Sequence, residues 1–234
     1  EEYRRCVDDM IAKGFKAIKF HAWCLPDKDL ELCRAVRKDH PGDDIAFMHD
    51  AENRYDRESS LRVARELEDL GFTWFEAPLP DYDFEGYQEL TRRVNIPVIP
   101  SGNWIQDLPS FARAIQMKAW RTSRTDVTMC GGFTGGRKAM AIAHAAGQNC
   151  EIMCWGHTLI STANLHLALS MPNCKFYEQP IPYDSYEYGM KTVTRTQPDG
   201  YVYAPQGPGL GVEIDWEKMD AATIMTIDSN KLRK

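Results

Sequence analysis

Short apolar runs rich in β-branched and aromatic residues alternate along the chain with stretches whose apolar positions recur at helical spacing. The runs predict strands at Ala17–Phe20, Ile45–His49, Thr73–Glu76, Val98–Pro100, Trp120–Thr125, Glu151–Trp155 and Lys175–Glu178. Between them, Val63, Leu67 and Leu70 fall at i, i+4 and i+7, in a segment that opens after Asp56, a good N-cap, and stops at Gly71, a good C′ residue. Val7, Met10 and Ile11 repeat the pattern ahead of Gly14. No linker-like or low-complexity stretch interrupts this alternation, so the 234 residues read as one α/β domain, an ordinary size for a single barrel.

The polar residues at the predicted strand ends are His21, Asp50, Glu76, Asn103, Asp126, His157 and Glu178, spaced 21 to 31 residues apart. One strand, one helix and two loops need about that much chain, so each residue holds the same place in its unit, the C-terminal end of the strand. In a parallel barrel those ends converge on one face, where such folds build active sites. An open doubly wound sheet also alternates strands and helices, and an acid after a strand often caps the next helix. Against that alternative, "KFHAWCLPDKDL" carries no Gly-rich phosphate loop after the first strand. The pairs Gly131-Gly132 and Gly135-Gly136 are by themselves a weak nucleotide signal.

Composition narrows the partners. The net charge of −6 and pI near 5.6, with no basic stripe, argue against nucleic acid as the main partner and favour a small-molecule enzyme. No apolar run of about 18 residues is available to cross a membrane, and the N-terminus does not resemble a signal peptide. Seven scattered cysteines favour a reduced, cytoplasmic setting, and Cys150 and Cys154 read as buried thiols rather than zinc ligands.

The strand-end residues have a chemistry in common. Asp50 and Glu76 are hard oxygen donors on adjacent strands, suited to Mg²⁺. Lys19 and His21, at i and i+2, project to one side of their strand. Asp126 and His157 end neighbouring strands, and an Asp bonded to one ring nitrogen makes the other nitrogen a competent proton carrier near neutral pH. His40, His144 and His166 fall in a loop and in helices and are assigned structural or surface roles.

The stretches "GFKAIKFH", "MHDAENRYD", "WFEAPLPDYDFEGYQELT", "IPVIPSGNW", "RTDVTMCGGFTGGRKAMAIAHAAG", "WGHT", "FYEQP" and "PGLGVEIDW" resemble, in order and over nearly the whole chain, successive strands of the enolase superfamily, specifically its mandelate racemase subgroup. That resemblance implies a TIM-type (β/α)7β barrel. The first clear strand matches the family's second, so the expectation is that residues 1–234 are a barrel domain lacking the first strand and the N-terminal α+β capping domain. The resemblance makes Asp50 and Glu76 ligands of a Mg²⁺ cofactor and Asp126–His157 a catalytic dyad, with Lys19 and Glu178 binding a substrate carboxylate.

Three positions depart from the family pattern. His21 stands where a second lysine usually acts, and Met129 falls near a position that is often lysine. Gly102-Asn103 lies where a Gly-Glu usually supplies the third metal ligand. Asn103 could donate its amide oxygen there, or Gly102 could take the acid's place and leave no side-chain ligand. A third option is a turn whose amide caps the helix beginning near Asp107. Trp23, Arg124 and Trp155 lie near strand ends and could contact a polyol.

The implied activity is Mg²⁺-dependent removal of the proton α to a carboxylate through an enediolate, with dehydration of an acid sugar to a 2-keto-3-deoxy acid as the leading outcome. His157, oriented by Asp126, is the leading base, with Lys19 and His21 binding the substrate or serving its other face. A racemase or epimerase of a 2-hydroxy acid and a catalytically silent binding barrel are the alternatives. A small-molecule carboxylate substrate and a homo-oligomer are the expected partners.

Overall fold

The computed structural model describes residues 2–228. In chain order it contains α1 (Glu2–Ala12), β1 (Ala17–Phe20), α2 (Pro26–Asp39), β2 (Ala46–Asp50), α3 (Arg57–Asp69), β3 (Trp74–Glu76) and α4 (Phe84–Arg93). It continues with β4 (Val98–Ile99), α5 (Leu108–Gln116), β5 (Ser123–Thr125), α6 (Gly132–Ala145), β6 (Cys150–Ile152), α7 (Thr158–Leu169) and, after a long irregular segment, α8 (Trp216–Ala221). Every ladder is parallel: β1-β2-β3-β4 form one sheet and β5-β6 another, which a single bridge from Ile152 to Tyr177 extends. This is the TIM-barrel-like arrangement that the strand–helix alternation predicts.

Strand periodicity sorts the side chains into layers. Met48, Trp74 and Ile99 form the barrel floor, packed by Ala17, Ala46 and Phe176. One step along the same inward-facing rows come Lys19, Asp50, Glu76 and Glu178, which are joined to one another. The alternate residues Phe20, Phe47, Phe75 and Val98 face outward and pack with Leu30, Val36, Val63, Leu67 and Leu90 of the surrounding helices. A separate outer cluster of Phe111, Met140, Cys150, Ile152 and Leu167 serves β5 and β6. All seven cysteines are unpaired thiols, with Cys150 and Cys154 buried as the sequence predicts.

The helix punctuation also follows the sequence. Asp56 accepts a hydrogen bond from Ser59 N–H at the start of α3, and Gly71 adopts φ +67° after its end.

Most predicted strands are shorter than expected, Trp120–Thr125 and Lys175–Glu178 among them. Trp120 leaves the β5 ladder because its ring sits edge-on to Phe84 and Tyr87, at 5.9 and 5.5 Å, in the helical layer. The Lys175–Glu178 run contributes only the bridge at Tyr177, because side chains take the bonds a ladder would use. The Glu151 carboxylate accepts from Lys175 and Phe176 N–H, both at 3.1 Å, and Glu178 Oε2 accepts from Cys154 N–H at 3.2 Å. Between β1 and this segment lies a cavity of about 340 Å³ that reaches Lys19, Arg124 and Glu178. No helix among the described residues is long and apolar enough to cross a membrane.

Phe75 is fully buried, stacked on His49 at 5.8 Å and central to the outer layer of β3. Phe75→Ala is expected to cost about 3–5 kcal/mol of stability in urea unfolding, the usual loss for emptying such a site.

Candidate active site

Five charged side chains meet where the inward rows reach the C-terminal mouth. The parallel register sets Asp50 directly beside Glu76, and Lys19 comes up between them from β1. Its ammonium lies 3.2 Å from Asp50 Oδ2, 2.8 Å from Glu76 Oε1 and 2.5 Å from Glu178 Oε1. From β5, Arg124 closes the ring, with Nη1 3.2 Å from Glu76 Oε2 and Nη2 2.7 Å from Glu178 Oε2. Trp74 Nε1–H also donates to Glu76 Oε2, at 3.2 Å.

Three carboxylates face two cations, and burial sharpens the imbalance. Burial opposes ionisation of Glu178, but Lys19 and Arg124 outweigh it and hold the carboxyl down at about 2. Burial together with Asp50 and Glu178 pushes Glu76 up to about 8 against the pull of Arg124 and Lys19. Asp50 stays below the ordinary range, since Lys19 and the Glu52 N–H overcome its burial. Lys19 is held well above the usual lysine value, because Glu178 and Glu76 overcome its desolvation.

A second tier of buried acids fixes the loops. Asp29 of α2, fully buried, accepts from Trp23 N–H at 3.0 Å and from the Tyr55 hydroxyl at 2.6 Å, tying the loop after β1 to the loop after β2. Tyr55 also lies 3.1 Å from His49 Nε2, behind Asp50. Asp81, also fully buried, accepts from Ser101 N–H and Oγ–H and from Gly102 N–H, at 2.8, 2.7 and 3.2 Å. It thereby sets the turn that follows β4. Asp29, Tyr55 and Asp81 are site-shaping residues that no sequence motif marks. Their only signal in the sequence is a polar residue on an otherwise apolar face or just past a strand.

The turn bears on the third ligand position. Gly102 has φ +79°, and a Cβ there would lie 2.9 Å from Arg124 Cγ, so the arginine fills the space that a side chain at 102 would need. Asn103 does not cap α5; the Asp107 carboxylate does, accepting from Ser110 N–H at 2.8 Å. Asn103 Oδ1 is buried with no hydrogen-bond partner among the described residues.

His21, Trp23 and Trp155 stand apart from the charged ring, whereas Arg124 belongs to it. His21 Nδ1 faces Asp50 Oδ2 at 4.0 Å, and its Nε2 is 3.3 Å from Glu52 Oε2. Arg124 is only 3% exposed and spends its terminal nitrogens on Glu76 and Glu178, beneath the mouth instead of at its lip. Trp23 and Trp155 are exposed at the rim, against Tyr3 and Tyr186 respectively.

Asp126 and His157 are not hydrogen-bonded to each other. Asp126 Oδ1 accepts from Thr128 N–H, Thr128 Oγ–H and Asn164 Nδ2–H at 2.7 to 3.0 Å. His157 caps α7: Nδ1 accepts from Leu159 N–H at 3.3 Å and Nε2 lies 2.8 Å from the Tyr188 carbonyl.

The donor set fits a hard divalent cation. Two carboxyl groups in register, three carboxyl groups in all against Lys19 and Arg124, and a buried amide oxygen on Asn103 that has no partner among the described residues are what Mg²⁺ coordination asks of a protein.

Parallel strands that bring their C-terminal ends to one mouth are the layout of a TIM-type barrel. The chain belongs to the enolase C-terminal domain-like family, whose model matches residues 2–218. It is similar to a mandelate racemase/muconate lactonizing enzyme family protein from Pseudovibrio sp., with 41% identity, a TM-score of 0.93, and coverage of 96% of this chain and 60% of that one. D-glucarate dehydratase from Agrobacterium tumefaciens complexed with magnesium is 32% identical with a TM-score of 0.82, over 94% of this chain and 59% of that one. The 3,6-anhydro-alpha-L-galactonate cycloisomerase of Streptomyces coelicolor is 29% identical over 215 residues, which are 91% of this chain and 56% of that enzyme. The chain therefore spans under two thirds of the length of each of these relatives. Dehydratases, cycloisomerases and racemases all occur among the family members it matches.

Two measurements probe the ring. Gly102→Ala is expected to cost about 1–3 kcal/mol in urea unfolding, from a left-handed backbone and the contact with Arg124. Because its folded carboxyl lies below the unfolded one, Glu178 contributes stability that is complete above the ordinary carboxylate range and is lost as pH falls toward about 2. The fall in unfolding free energy on acidification below pH ~5 is therefore expected to be shallower in Glu178→Gln than in the parent protein.

Proposed function

We propose that this chain carries the barrel domain of a Mg²⁺-dependent enzyme that removes the proton α to a carboxylate, with dehydration of an acid sugar to a 2-keto-3-deoxy acid as the reaction. The observation that carries the reading is the Asp50–Glu76 carboxylate pair in strand register with Lys19 beside it. An α-proton beside a carboxylate is barely acidic in water, so the protein's task is electrostatic. Asp50 and Glu76 would hold the ion, with the Asn103 amide oxygen as third donor. When bound, magnesium supplies positive charge that polarises the substrate carboxylate and offsets the negative charge developing on it.

The residues of the chain do the rest. Lys19, fixed by its ion pairs, binds a carboxylate oxygen, and Glu178 meets the same carboxylate from the other side. Arg124 holds Glu76 and Glu178 in place from below. His157 takes the α-proton once its ring leaves both the Tyr188 carbonyl and the Leu159 N–H and carries its proton on the nitrogen turned to Asp126, which supports the imidazolium that forms. The imidazolium then returns that proton to the β-hydroxyl, the C–O bond breaks, water leaves, and the resulting enol becomes the 2-keto-3-deoxy acid. Trp23 and Trp155 at the rim offer faces to the polyol.

A second reading, racemase or epimerase, is favoured by His21, a further imidazole on the β1 side of the same carboxylates. A catalytically silent barrel is favoured by Lys19 lying among the acids as an internal cation. Incubation with an acid-sugar library in deuterium oxide with Mg²⁺ separates the three outcomes. Release of 2-keto-3-deoxy product is the expected result, α-deuteration without elimination marks the racemase, and no Mg²⁺ binding even with an acid sugar present marks the silent barrel. His157→Asn is expected to lower kcat by about 10²- to 10⁴-fold, the range for losing a general base; an unaffected variant removes His157 from the mechanism.

A further inference from the structure

A second group of donor atoms lies at the lip of the mouth, outside the charged ring. His21, just past β1, Cys24 in the following loop and Glu52, just past β2, bring Nε2, Sγ and a carboxylate oxygen to within 4.8 Å of one another. Nε2 is 3.3 Å and Sγ 3.8 Å from the same Glu52 Oε2.

Zinc bonds of about 2.0–2.2 Å to nitrogen and oxygen and about 2.3 Å to sulfur give tetrahedral edges of roughly 3.3–3.4 Å for N···O and 3.6 Å for S···O. The two edges that involve Glu52 thus lie within about 0.2 Å of those of a bound ion.

The backbone that carries these donors is fixed. Cys24 and Glu52 both occupy the left-handed region, at φ +56° and +50°. Glu52 N–H donates to Asp50 Oδ1 at 2.9 Å, and Trp23 N–H, between His21 and Cys24, donates to the buried Asp29. Since Asp29 also holds Tyr55, the two loops are clamped to each other from beneath, and the donors do not have to be gathered from separate mobile segments. His21 turns Nε2 toward the cluster, 3.3 Å from Glu52 Oε2, while Nδ1 lies 4.0 Å from the Asp50 carboxylate, beyond hydrogen-bond distance. The competing cation is Arg54, whose Nε lies 4.0 Å from Glu52 Oε2 on a largely exposed side chain.

We propose that His21, Cys24 and Glu52 form a binding site for a borderline-soft divalent ion of the Zn²⁺ class, separate from the Asp50–Glu76 pair. A thiolate and an imidazole disfavour Mg²⁺ and favour zinc, and three protein donors leave a fourth position open to water or to a ligand oxygen. The ion replaces the Cys24 thiol proton, which passes to solvent. Occupancy also takes the Nε2 lone pair of His21, so a bound ion removes that imidazole from proton transfer at the mouth.

The test titrates the full, metal-stripped chain with Co²⁺ and then Zn²⁺ while Mg²⁺ is held in large excess. A thiolate-to-cobalt charge-transfer absorption is expected, and Zn²⁺ is expected to abolish it. Cys24→Ser, which lies outside the proposed catalytic machinery, is expected to lose the band. It is also expected to bind Zn²⁺ at least about tenfold more weakly in competition with a chromophoric chelator, the range for losing a metal-site residue. Glu52→Gln is expected to weaken Zn²⁺ binding while keeping the band. Absence of a band in the parent protein, a band that persists in Cys24→Ser, or equal Zn²⁺ affinity in parent and Cys24→Ser overturns the proposal. None of these readouts depends on turnover, so the assignment of the Asp50–Glu76 site stands or falls separately.

Discussion

The shared ammonium of Lys19 is the constraint around which this barrel is arranged. Moving an unpaired charge into such an interior costs several kcal/mol, and the cost is offset only when opposite charges are held at bonding distance. Three carboxylates from β2, β3 and the segment after β6 meet that condition, and Arg124 extends it across to β5. Such a network tolerates no slip in strand register, because shifting one strand by one residue would turn its charge outward and a phenylalanine or histidine inward. The apolar floor of Met48, Trp74 and Ile99 below and the aromatic layer outside hold that register.

Around the ring, one local device recurs. A buried carboxylate accepts backbone N–H groups from the loop or segment beside it, in Asp29 toward Trp23, Asp81 toward Ser101 and Gly102, Asp126 toward Thr128, and Glu151 toward Lys175 and Phe176. Loops above parallel strands carry N–H groups that no ladder can satisfy, and a buried acid supplies the acceptor while it fixes the loop. The same loops carry His21, Asn103 and the chain leading to His157, so the positions of these side chains depend on buried acids outside the charged ring.

Asn103 and Arg124 belong together in this scheme. A side chain at 102 would need the space that Arg124 fills, and the arginine supplies the positive charge that pins Glu76 and Glu178. An amide at 103 brings no charge of its own, so the balance of the mouth is left to three carboxyl groups, Lys19 and Arg124.

Much of this was legible along the chain. The alternation of apolar runs and helical repeats carries the parallel α/β order. The spacing of His21, Asp50, Glu76, Asn103, Asp126, His157 and Glu178 predicts strand ends, and they lie at or up to five residues past the end of a strand or bridge, because a βα unit consumes a nearly constant length of chain. The i, i+2 rule puts Lys19 on the inward row, and cap residues such as Asp56 and Gly71 act through neighbours only a few residues away. Contacts across the fold were not legible in the same way. That Arg124 lies under the mouth, that Asp29 clamps two loops, that His157 turns to Tyr188 instead of Asp126, and that Cys24 comes beside Glu52 all depend on residues 26 or more positions apart. Sequence by itself determined which faces are apolar and where each polar residue ends its strand, since those are matters of local period. Only the tertiary structure decided which charges pair, because pairing depends on the distance across the barrel, and no local pattern encodes it.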